Sequence, residues 1–248
     1  MEEELLRRAR DLAQRCERTA TACATVFLTP AQQYALTAWA KHAPDCRFAL
    51  HGGGENAERK IGVFLPFWQE PEDFDPAQLL QAVKITAGFG QPGHRDYLGS
   101  ILGLGIRREW IGDIIVTDNV AWVVCLPSVQ RTLMEQLDHV GRCGVKTTAV
   151  SLGELPRQQR QVKPVHFTVQ SLRLDAVAAG MFRLSRTQAA EKIRLGLVSL
   201  NYEACLRPDA PVAVGDILSL RGSGKGSVAQ IGGTSKKGRQ FLLCELWV

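Results

Sequence analysis

The chain has 248 residues, 45% of them hydrophobic and 22% charged, with a formal net charge of +5. This length allows one to three domains with buried cores. The seven cysteines are odd in number, widely spaced and without a C-x-x-C pair, which argues against zinc and against a secreted disulfide framework. The acidic, then arginine-rich start does not fit a signal peptide, and no apolar run reaches the roughly 20 residues that span a bilayer. We expect a soluble, cytoplasmic protein without metal or cofactor.

The charge is distributed unevenly along the chain. Residues 1–155 carry 16 Lys/Arg against 19 Asp/Glu, a net charge of −3, whereas residues 156–248 carry 14 against 6, a net charge of +8. A basic module joined to a mildly acidic body is typical of a protein that contacts phosphates with one end. A basic but otherwise inert surface would give the same count.

The first 75 residues predict a small α/β unit. Its predicted elements are an amphipathic helix over 3–17, a second helix that starts with Thr29 as N-cap and Pro30 at the first position, strands over 47–50 and 61–67 joined by the glycine-rich segment 51–56, and an acidic linker over 69–76.

Residues 76–155 predict a second domain. Its predicted elements are a strand over 82–87, a helix over 95–104, strands over 113–116 and 121–126 joined at Asp118-Asn119, a helix from Ser128 that carries Leu133, Leu137 and Val140, and a strand over 146–152. This β-α-β-β-α-β order is that of a split β-α-β, ferredoxin-like fold, which RNA-recognition motifs share. Their base-stacking aromatics are missing from 121–126, where Trp122 alone could serve, so we expect this domain to act as a platform.

A polar, basic segment over 156–165 predicts a linker to a C-terminal domain over 166–248. Ser185 followed by Gln188 forms a capping box that begins a helix, and Gly196 supplies the left-handed residue that ends it. The other predicted elements are a short helix before it with Leu172, Leu174 and Val177 on its buried side, a strand through Val198 and Leu200, a turn at Asn201, and a closing strand over 241–246.

This order of elements resembles the S4 RNA-binding domain. The residues that carry the resemblance are Arg173-Leu174-Asp175, Ser185-Arg186, Ala189, Ile193, Gly196, Val198, Asn201 and Gly215-Asp216. It implies that the basic positions Arg173, Arg186 and Arg194 line an RNA-facing groove. Two positions depart from the pattern: Lys192 replaces an aliphatic residue, and Tyr202 replaces the glycine after the asparagine. Because a tyrosine is strained at positive φ, we expect a turn of a different type there.

Read over roughly residues 48–248, the chain resembles the YlmH-like family of bacterial S4-domain proteins, whose relatives include the photosystem II S4 domain proteins. The motifs that carry this resemblance are His94-Arg95-Asp96-Tyr97-Leu98-Gly99, Leu104-Gly105-Ile106-Arg107-Arg108, Ile111-Gly112-Asp113-Ile114, the segment 221–225 and Lys236-Lys237-Gly238-Arg239. The resemblance implies an RNA-binding protein of the large ribosomal subunit that contacts ribosomal RNA and tRNA in ribosome rescue or quality control. It implies no catalysis.

We therefore expect an α+β protein, a monomer and not an enzyme, that binds structured RNA rather than DNA by shape and phosphate charge. The predicted RNA-binding residues are Arg173, Ser185, Arg186, Lys192, Arg194, Arg221, Lys225, Lys236, Lys237 and Arg239. Among them, Ser185 orders a helix start, and Lys225, Lys236, Lys237 and Arg239 grip from loops of the tail.

Two segments look superficially catalytic. His94-Arg95-Asp96 resembles a kinase catalytic loop, but its companion motifs are missing, so we expect Asp96 and Arg95 to cap and brace either a helix start or an interdomain contact. The segment 222–227 lacks the first glycine and the Ser/Thr of a phosphate loop, so we expect a flexible loop in which Lys225 and backbone N–H groups contact RNA. Two alternatives stay open: an RNA-modifying enzyme with an appended S4 domain, whose catalytic motifs are not seen, and an adaptor that binds a protein with its central sheet.

Overall fold

The computed structural model describes residues 2–43, 47–157, 161–235 and 237–247, which form six α-helices and three antiparallel sheets. The predicted mixture of α and β structure is therefore confirmed. The chain divides into two compact units, Met1–Gln159 and Arg160–Val248. Among the helices described, none is long and apolar enough to cross a membrane.

The first sheet is small and carries two helices. Its elements are α1 (Glu2–Thr19), β1 (Cys23–Leu28), α2 (Pro30–Ala40), β2 (Arg47–His51) and β3 (Lys60–Leu65), with the strand order β1-β3-β2. Both helices pack through Ala9, Cys16 and Leu36 against Phe64. The predicted start of α2 is confirmed, because Thr29 forms a capping box and Pro30 follows it. Strand β1 was not predicted: its apolar residues run together instead of alternating, which periodicity cannot separate from a helix segment.

The second sheet has five strands covered by two helices. Its elements are β4 (Gln81–Ala87), α3 (His94–Gly103), β5 (Ile111–Thr117), β6 (Val120–Cys125), α4 (Pro127–Gln136), β7 (His139–Val140) and β8 (Cys143–Val150), with the strand order β5-β6-β4-β8-β7. Ile85, Tyr97 and Leu133 are fully buried in the core between sheet and helices. The prediction that α4 carries Val140 is wrong, because Val140 lies in β7 after the helix has ended. Gly141 at φ +59 then turns the chain into β8.

The first two sheets share an apolar cluster. Phe27 and Ile61 from the first sheet pack with Phe74, Leu80 and Val124. The predicted linker over 69–76 thus contributes a buried side chain, Phe74, and contains a 3₁₀ turn at Pro71–Asp73, and a second one, Pro76–Gln78, begins at its last residue. Division of this unit at residue 75 stays a prediction.

A carboxylate also joins these two sheets. Asp113 of β5 accepts hydrogen bonds from the backbone N–H groups of Glu58 at 2.6 Å and Arg59 at 3.0 Å, just before β3. The neighbouring Gly112 leaves room for Phe27, whose ring atoms would lie 2.6 Å from an added Cβ. The two sheets are therefore held together by polar and apolar contacts alike.

The second unit is one six-stranded sheet with two helices on one face. Its elements are β9 (Val162–Val169), α5 (Leu174–Met181), α6 (Arg186–Arg194), β10 (Val198–Leu200), β11 (Glu203–Ala204), β12 (Ile217–Leu220), β13 (Gly224–Thr234) and β14 (Gln240–Trp247), with the strand order β11-β10-β12-β13-β14-β9. The core includes Leu174, Val177, Ile193, Leu218 and Leu242, all with less than 3% of their surface exposed.

Strand β9 begins inside the segment predicted as a linker. Residues 162–165 of that segment pair with β14, while residues 158–160 lie outside the described residues. Pro164 is tolerated because β9 is an edge strand, where a missing N–H breaks no ladder hydrogen bond. On the core side, the ring of Phe167 lies against Gly180 of α5, where an added Cβ would be 2.1 Å from a ring atom.

Candidate nucleic-acid interface

Two of the predicted arginines meet at one buried carboxylate. Asp175, in the first turn of α5, has only 5% of its surface exposed. Arg173 approaches it with Nε and Nη2, both at 3.3 Å. Arg186 approaches the same carboxylate with Nε at 3.2 Å and Nη2 at 3.4 Å. Both arginine side chains keep about half of their surface in solvent, so the three charges leave one net positive charge on an accessible site.

The backbone around Asp175 fixes its position. Leu174 N–H donates to the carbonyl of Ala210 at 2.8 Å, and Asp175 N–H donates to that of Pro208 at 2.9 Å. The start of α5 is therefore bonded to the loop before β12. Since a buried charge is tolerated only when it is paired and hydrogen-bonded, the two guanidinium groups explain why an aspartate can occupy this position.

Helix α6 begins with the predicted capping box, and its first residue lies beside the same carboxylate. Gln188 N–H donates to Ser185 Oγ at 3.2 Å, and Ser185 N–H donates to Gln188 Oε1 at 2.9 Å. Arg186 is the first residue of the helix. Ser185 thus orders the helix end from which Arg186 reaches Asp175.

The opposite end of α6 brings three further predicted cations near one another. Lys192 and Arg194 lie in its last turn. Leu197 N–H donates to the carbonyl of Lys192 at 3.0 Å, and Arg221 N–H donates to the carbonyl of Leu197 at 3.0 Å. Arg194 and Arg221 are exposed and Lys192 is half-buried. The helix therefore has basic residues at both ends.

The turn after β10 differs from what the sequence suggested. Asn201 lies at φ +51 and Tyr202 at φ +71, the left-handed pair that a two-residue type I′ hairpin needs. The tyrosine therefore adopts the conformation usually left to glycine. Its ring centroid lies 4.3 Å from Lys225 Nζ, a contact that offsets the strain. Asn201 also donates from Nδ2 to Asp216 Oδ1 at 2.9 Å, which joins two of the motif residues.

Lys225 lies apart from the helices. The predicted flexible loop is wrong for this residue, because β13 begins at Gly224 and Lys225 is within the strand, opposite Trp247. Gly226 makes this pairing possible, since an added Cβ would lie 2.5 Å from the carbonyl oxygen of Glu245. Lys225 Nζ is also 4.5 Å from the Trp247 ring centroid.

Two further predicted cations, Lys237 and Arg239, lie in the hairpin between β13 and β14. Arg239 donates from Nη2 to the carbonyl of Thr168 at 2.6 Å, and its N–H donates to Ser235 Oγ at 3.1 Å. Lys237 is exposed. Lys236 lies outside the described residues. The nine predicted residues that the structure describes are thus spread over the start of α5, both ends of α6, strand β13 and the segment before β14 instead of forming a single cluster.

Comparisons with known proteins give the family. The family model described as "Putative RNA-binding domain in YlmH" matches residues 70–154. The ribosome-associated protein quality control protein P2 of Bacillus subtilis (strain 168) is 34% identical over 213 residues, which cover 86% of this chain and 82% of that protein. The chain belongs to the YlmH family.

A solved structure of a YlmH protein has a similar fold. The cell division protein YlmH from Streptococcus pneumoniae matches with a TM-score of 0.51 at 22% identity. The match covers 62% of this chain and 93% of that one. It supports the mixed α and β architecture described above.

The two motifs that looked catalytic have structural partners in this YlmH family member. Asp96 Oδ2 accepts from Gly93 N–H at 2.8 Å and so caps α3, as predicted. Residues 224–227, the last four of the segment 222–227, belong to β13. Elsewhere, the glycine-rich loop Gly52–Ala57 borders a cavity of about 210 Å³ in which the carboxylate of Asp113 is already bonded to two backbone N–H groups. Each of these three segments therefore makes contacts that contribute to the fold.

The central sheet offers one aromatic side chain of the kind that stacks bases. Trp122 of β6 is half-buried, and Lys84 Nζ lies 5.9 Å from its ring centroid. Its neighbour Val124 is buried in the cluster shared with the first sheet.

Burial raises the pKa of the Cys125 thiol on the same strand to about 12, which leaves it un-ionised and unreactive at neutral pH.

Proposed function

We propose that this chain is a non-catalytic RNA-binding protein that contacts structured RNA with α5, α6 and the adjoining turns of its second unit. The observation that carries the proposal is the sharing of Asp175 by Arg173 and Arg186 at the start of α6. Because the carboxylate already holds the two guanidinium groups in place, the arginine side chains lose less conformational entropy when they bind phosphate. The planar donor geometry of arginine suits phosphate oxygens, and the helix start adds N–H groups that favour an anion.

We propose further that this unit is an S4-like domain and that the RNA is ribosomal RNA and tRNA on the large ribosomal subunit. The net charge of +8 over residues 156–248 and the name of the Bacillus subtilis relative support this assignment. We also propose a role in ribosome rescue or quality control in the cytoplasm, and the relative's name supports the quality-control part of it.

The central sheet would then be an RRM-like platform that helps to position the second unit's partner. Its strand order, in which the first strand β4 lies between β6 and β8, is that of a split β-α-β fold. The family model that matches residues 70–154 carries an RNA-binding description, which supports RNA binding by this sheet too.

A binding titration tests the proposal. The triple variant Arg186→Gln, Arg194→Gln, Arg221→Gln removes three charges from the two ends of α6 and should bind a labelled ribosomal RNA hairpin or tRNA more weakly than the unmodified chain. The slope of log affinity against log salt should fall by roughly 1 for each phosphate that the variant no longer neutralises. The triple variant Arg10→Gln, Arg15→Gln, Lys41→Gln removes the same charge from exposed positions of the first unit and is the control.

Circular dichroism must show that both triple variants are folded. Unchanged affinity and salt slope in the first variant would refute the proposal. An equal loss of affinity in both variants would show that only net charge matters, and it would refute a located site.

A further inference from the structure

The second unit has a second surface, formed by the face of its sheet opposite α5 and α6. In β14, Leu242 and Cys244 point into the core, so Phe241, Leu243, Glu245 and Trp247 point to the other side. Paired residues of neighbouring strands share a face, and the register therefore adds Val162, Pro164, His166 and Thr168 from β9 and Lys225, Ser227 and Gln230 from β13. We call these eleven residues the open face.

One end of the open face presents an aromatic ring next to polar groups. Phe241 has 51% of its surface exposed, and His166 and Gln230 are exposed as well. Leu243 lies between His166 and Gln230 in the sheet. These side chains line a shallow depression of about 440 Å³. An isolated exposed phenylalanine needs no explanation, but a ring that borders a depression with an amide and an imidazole fits a flat ligand that also forms hydrogen bonds.

The other end holds a cation between two rings. Lys225 Nζ lies 4.3 Å from the centroid of Tyr202 and 4.5 Å from that of Trp247. Trp247 lies six positions after Phe241 in β14, a span of about 20 Å at the usual rise of about 3.4 Å per residue. At the Phe241 end, Arg239 bonds the carbonyl of Thr168, the residue opposite Phe241. Positive charge therefore lies at both ends of a row of rings.

We propose that the open face binds unpaired nucleotides of an RNA strand by base stacking. Proteins that bind single strands combine cations that follow the backbone with aromatic rings on which bases stack. Phe241 and Trp247 would supply the rings, and Lys225 and Arg239 the backbone contacts. Glu245, midway along the row, repels phosphate but accepts hydrogen bonds from base amino groups, so the bases and not the backbone would face the sheet there.

This surface is distinct from the one in the proposed function, and the inference rests on that function only in assigning RNA to the same unit. The helical surface would contact structured RNA by charge. The open face would contact bases, which are accessible only where RNA is single-stranded. One unit could then hold a folded RNA and an adjoining unpaired segment at the same time.

The test measures two probes on the full chain by fluorescence anisotropy: an unstructured oligouridylate of about ten nucleotides and a stable RNA hairpin. Phe241→Ala should weaken oligouridylate binding by roughly 5- to 150-fold, the range for removal of one stacked base. It should leave hairpin affinity unchanged within about twofold. Phe241→Tyr keeps a ring and should restore oligouridylate binding. Phe67→Ala, which removes a ring with 81% exposure from the first unit, is the matched control and should change neither affinity.

The outcomes separate this inference from the proposed function. If the hairpin binds and the oligouridylate does not, or if Phe241→Ala binds the oligouridylate normally, the open face is not a nucleotide site and the proposed function stands. If the oligouridylate binds in a Phe241-dependent way and the hairpin does not bind, the proposed function fails alone. Dimerisation that Phe241→Ala abolishes, seen by analytical ultracentrifugation, would assign the open face to a second copy and overturn the inference.

Discussion

Arg186 and Asp175 come from different helices, and they meet with Nε 3.2 Å from Oδ2 at the point where α5 and α6 converge. This ion pair joins a half-exposed side chain to a buried one. The two residues therefore have roles that can be measured separately. Asp175 contributes to the stability of the fold, whereas Arg186 presents its remaining donors to solvent and can bind a ligand.

Removing the shared carboxylate should destabilise the second unit. Asp175→Asn leaves two guanidinium groups without their counter-charge, and we expect a decrease of about 1–3 kcal/mol in the free energy of unfolding. This is below the roughly 3–5 kcal/mol seen when one partner of a fully buried pair is removed, because both arginines are half-exposed. Urea denaturation measures the change. Asp209→Asn, which removes an exposed partner 3.7 Å from Arg207, should cost no more than about 0.5 kcal/mol. Equal decreases in the two variants would contradict this role of Asp175.

Two helical glycines should respond in opposite ways to the same substitution. Gly180→Ala places a Cβ against the ring of Phe167, so we expect a destabilisation of about 1–3 kcal/mol from overpacking. Gly99→Ala in α3 meets no atom within 4 Å and should stabilise its unit by up to about 1 kcal/mol, since alanine is the better helix former. Thermal denaturation of each variant checks both signs. A neutral Gly180→Ala would mean that β9 does not pack on α5 as described.

The two sheets of the first unit should unfold together. Asp113→Ala breaks two hydrogen bonds to a carboxylate that joins them, and we expect a destabilisation of about 2 kcal/mol. Trp39 reports on the first sheet and Trp122 on the second, so variants that keep one of them as a fluorescent probe can follow each sheet in urea. Asp11→Ala, at a carboxylate that is 65% exposed, is the control. Separate midpoints for the two probes in the otherwise unmodified chain would show two independent domains.

Thiol reactivity should follow burial. The pKa of Cys125 and that of Cys244 are both raised to about 12 because burial disfavours the thiolate. At pH 8 their thiolate fraction is of order 10⁻⁴, so iodoacetamide should modify them only after unfolding. Cys143 and Cys205 are half-buried and should react before Cys125 and Cys244. Peptide mass spectrometry of the native chain distinguishes the sites. Rapid labelling of Cys244 under native conditions would contradict its place in the core.

Local signals were the ones that sequence alone could interpret. The N-cap of α2, the capping box of α6 and the Asp118-Asn119 hairpin depend on neighbours within four residues, and the structure contains all three. Strands β1 and β9 are defined by partners 32 or more residues away, so composition could not reveal them. The same distinction applies to Tyr202, whose strained backbone is compensated by Lys225, a residue 23 positions further along the chain.

The candidate site was predictable in its residue types but not in its arrangement. Basic residues in a motif indicate phosphate binding whatever their positions, and the predicted RNA-binding role of the ten residues stays a prediction. The sequence did not show that Asp175 would be buried or that it would hold Arg186, because that ion pair depends on how α5 and α6 pack. The sequence also placed Lys225 in a loop, because the glycines around it are typical of loops. In the structure, Gly226 instead allows the backbone of β14 to approach β13 closely.

The order of strands has a consequence for synthesis. β9, the first strand of the second unit, pairs in the sheet with β14, the last. During translation β9 must therefore wait with both edges and one apolar side uncovered until some 70 further residues have been added and β14 has emerged from the exit tunnel. A nascent chain halted just before residue 240 would expose both edges to other chains, so the final eight-residue strand decides whether the new polypeptide closes or aggregates.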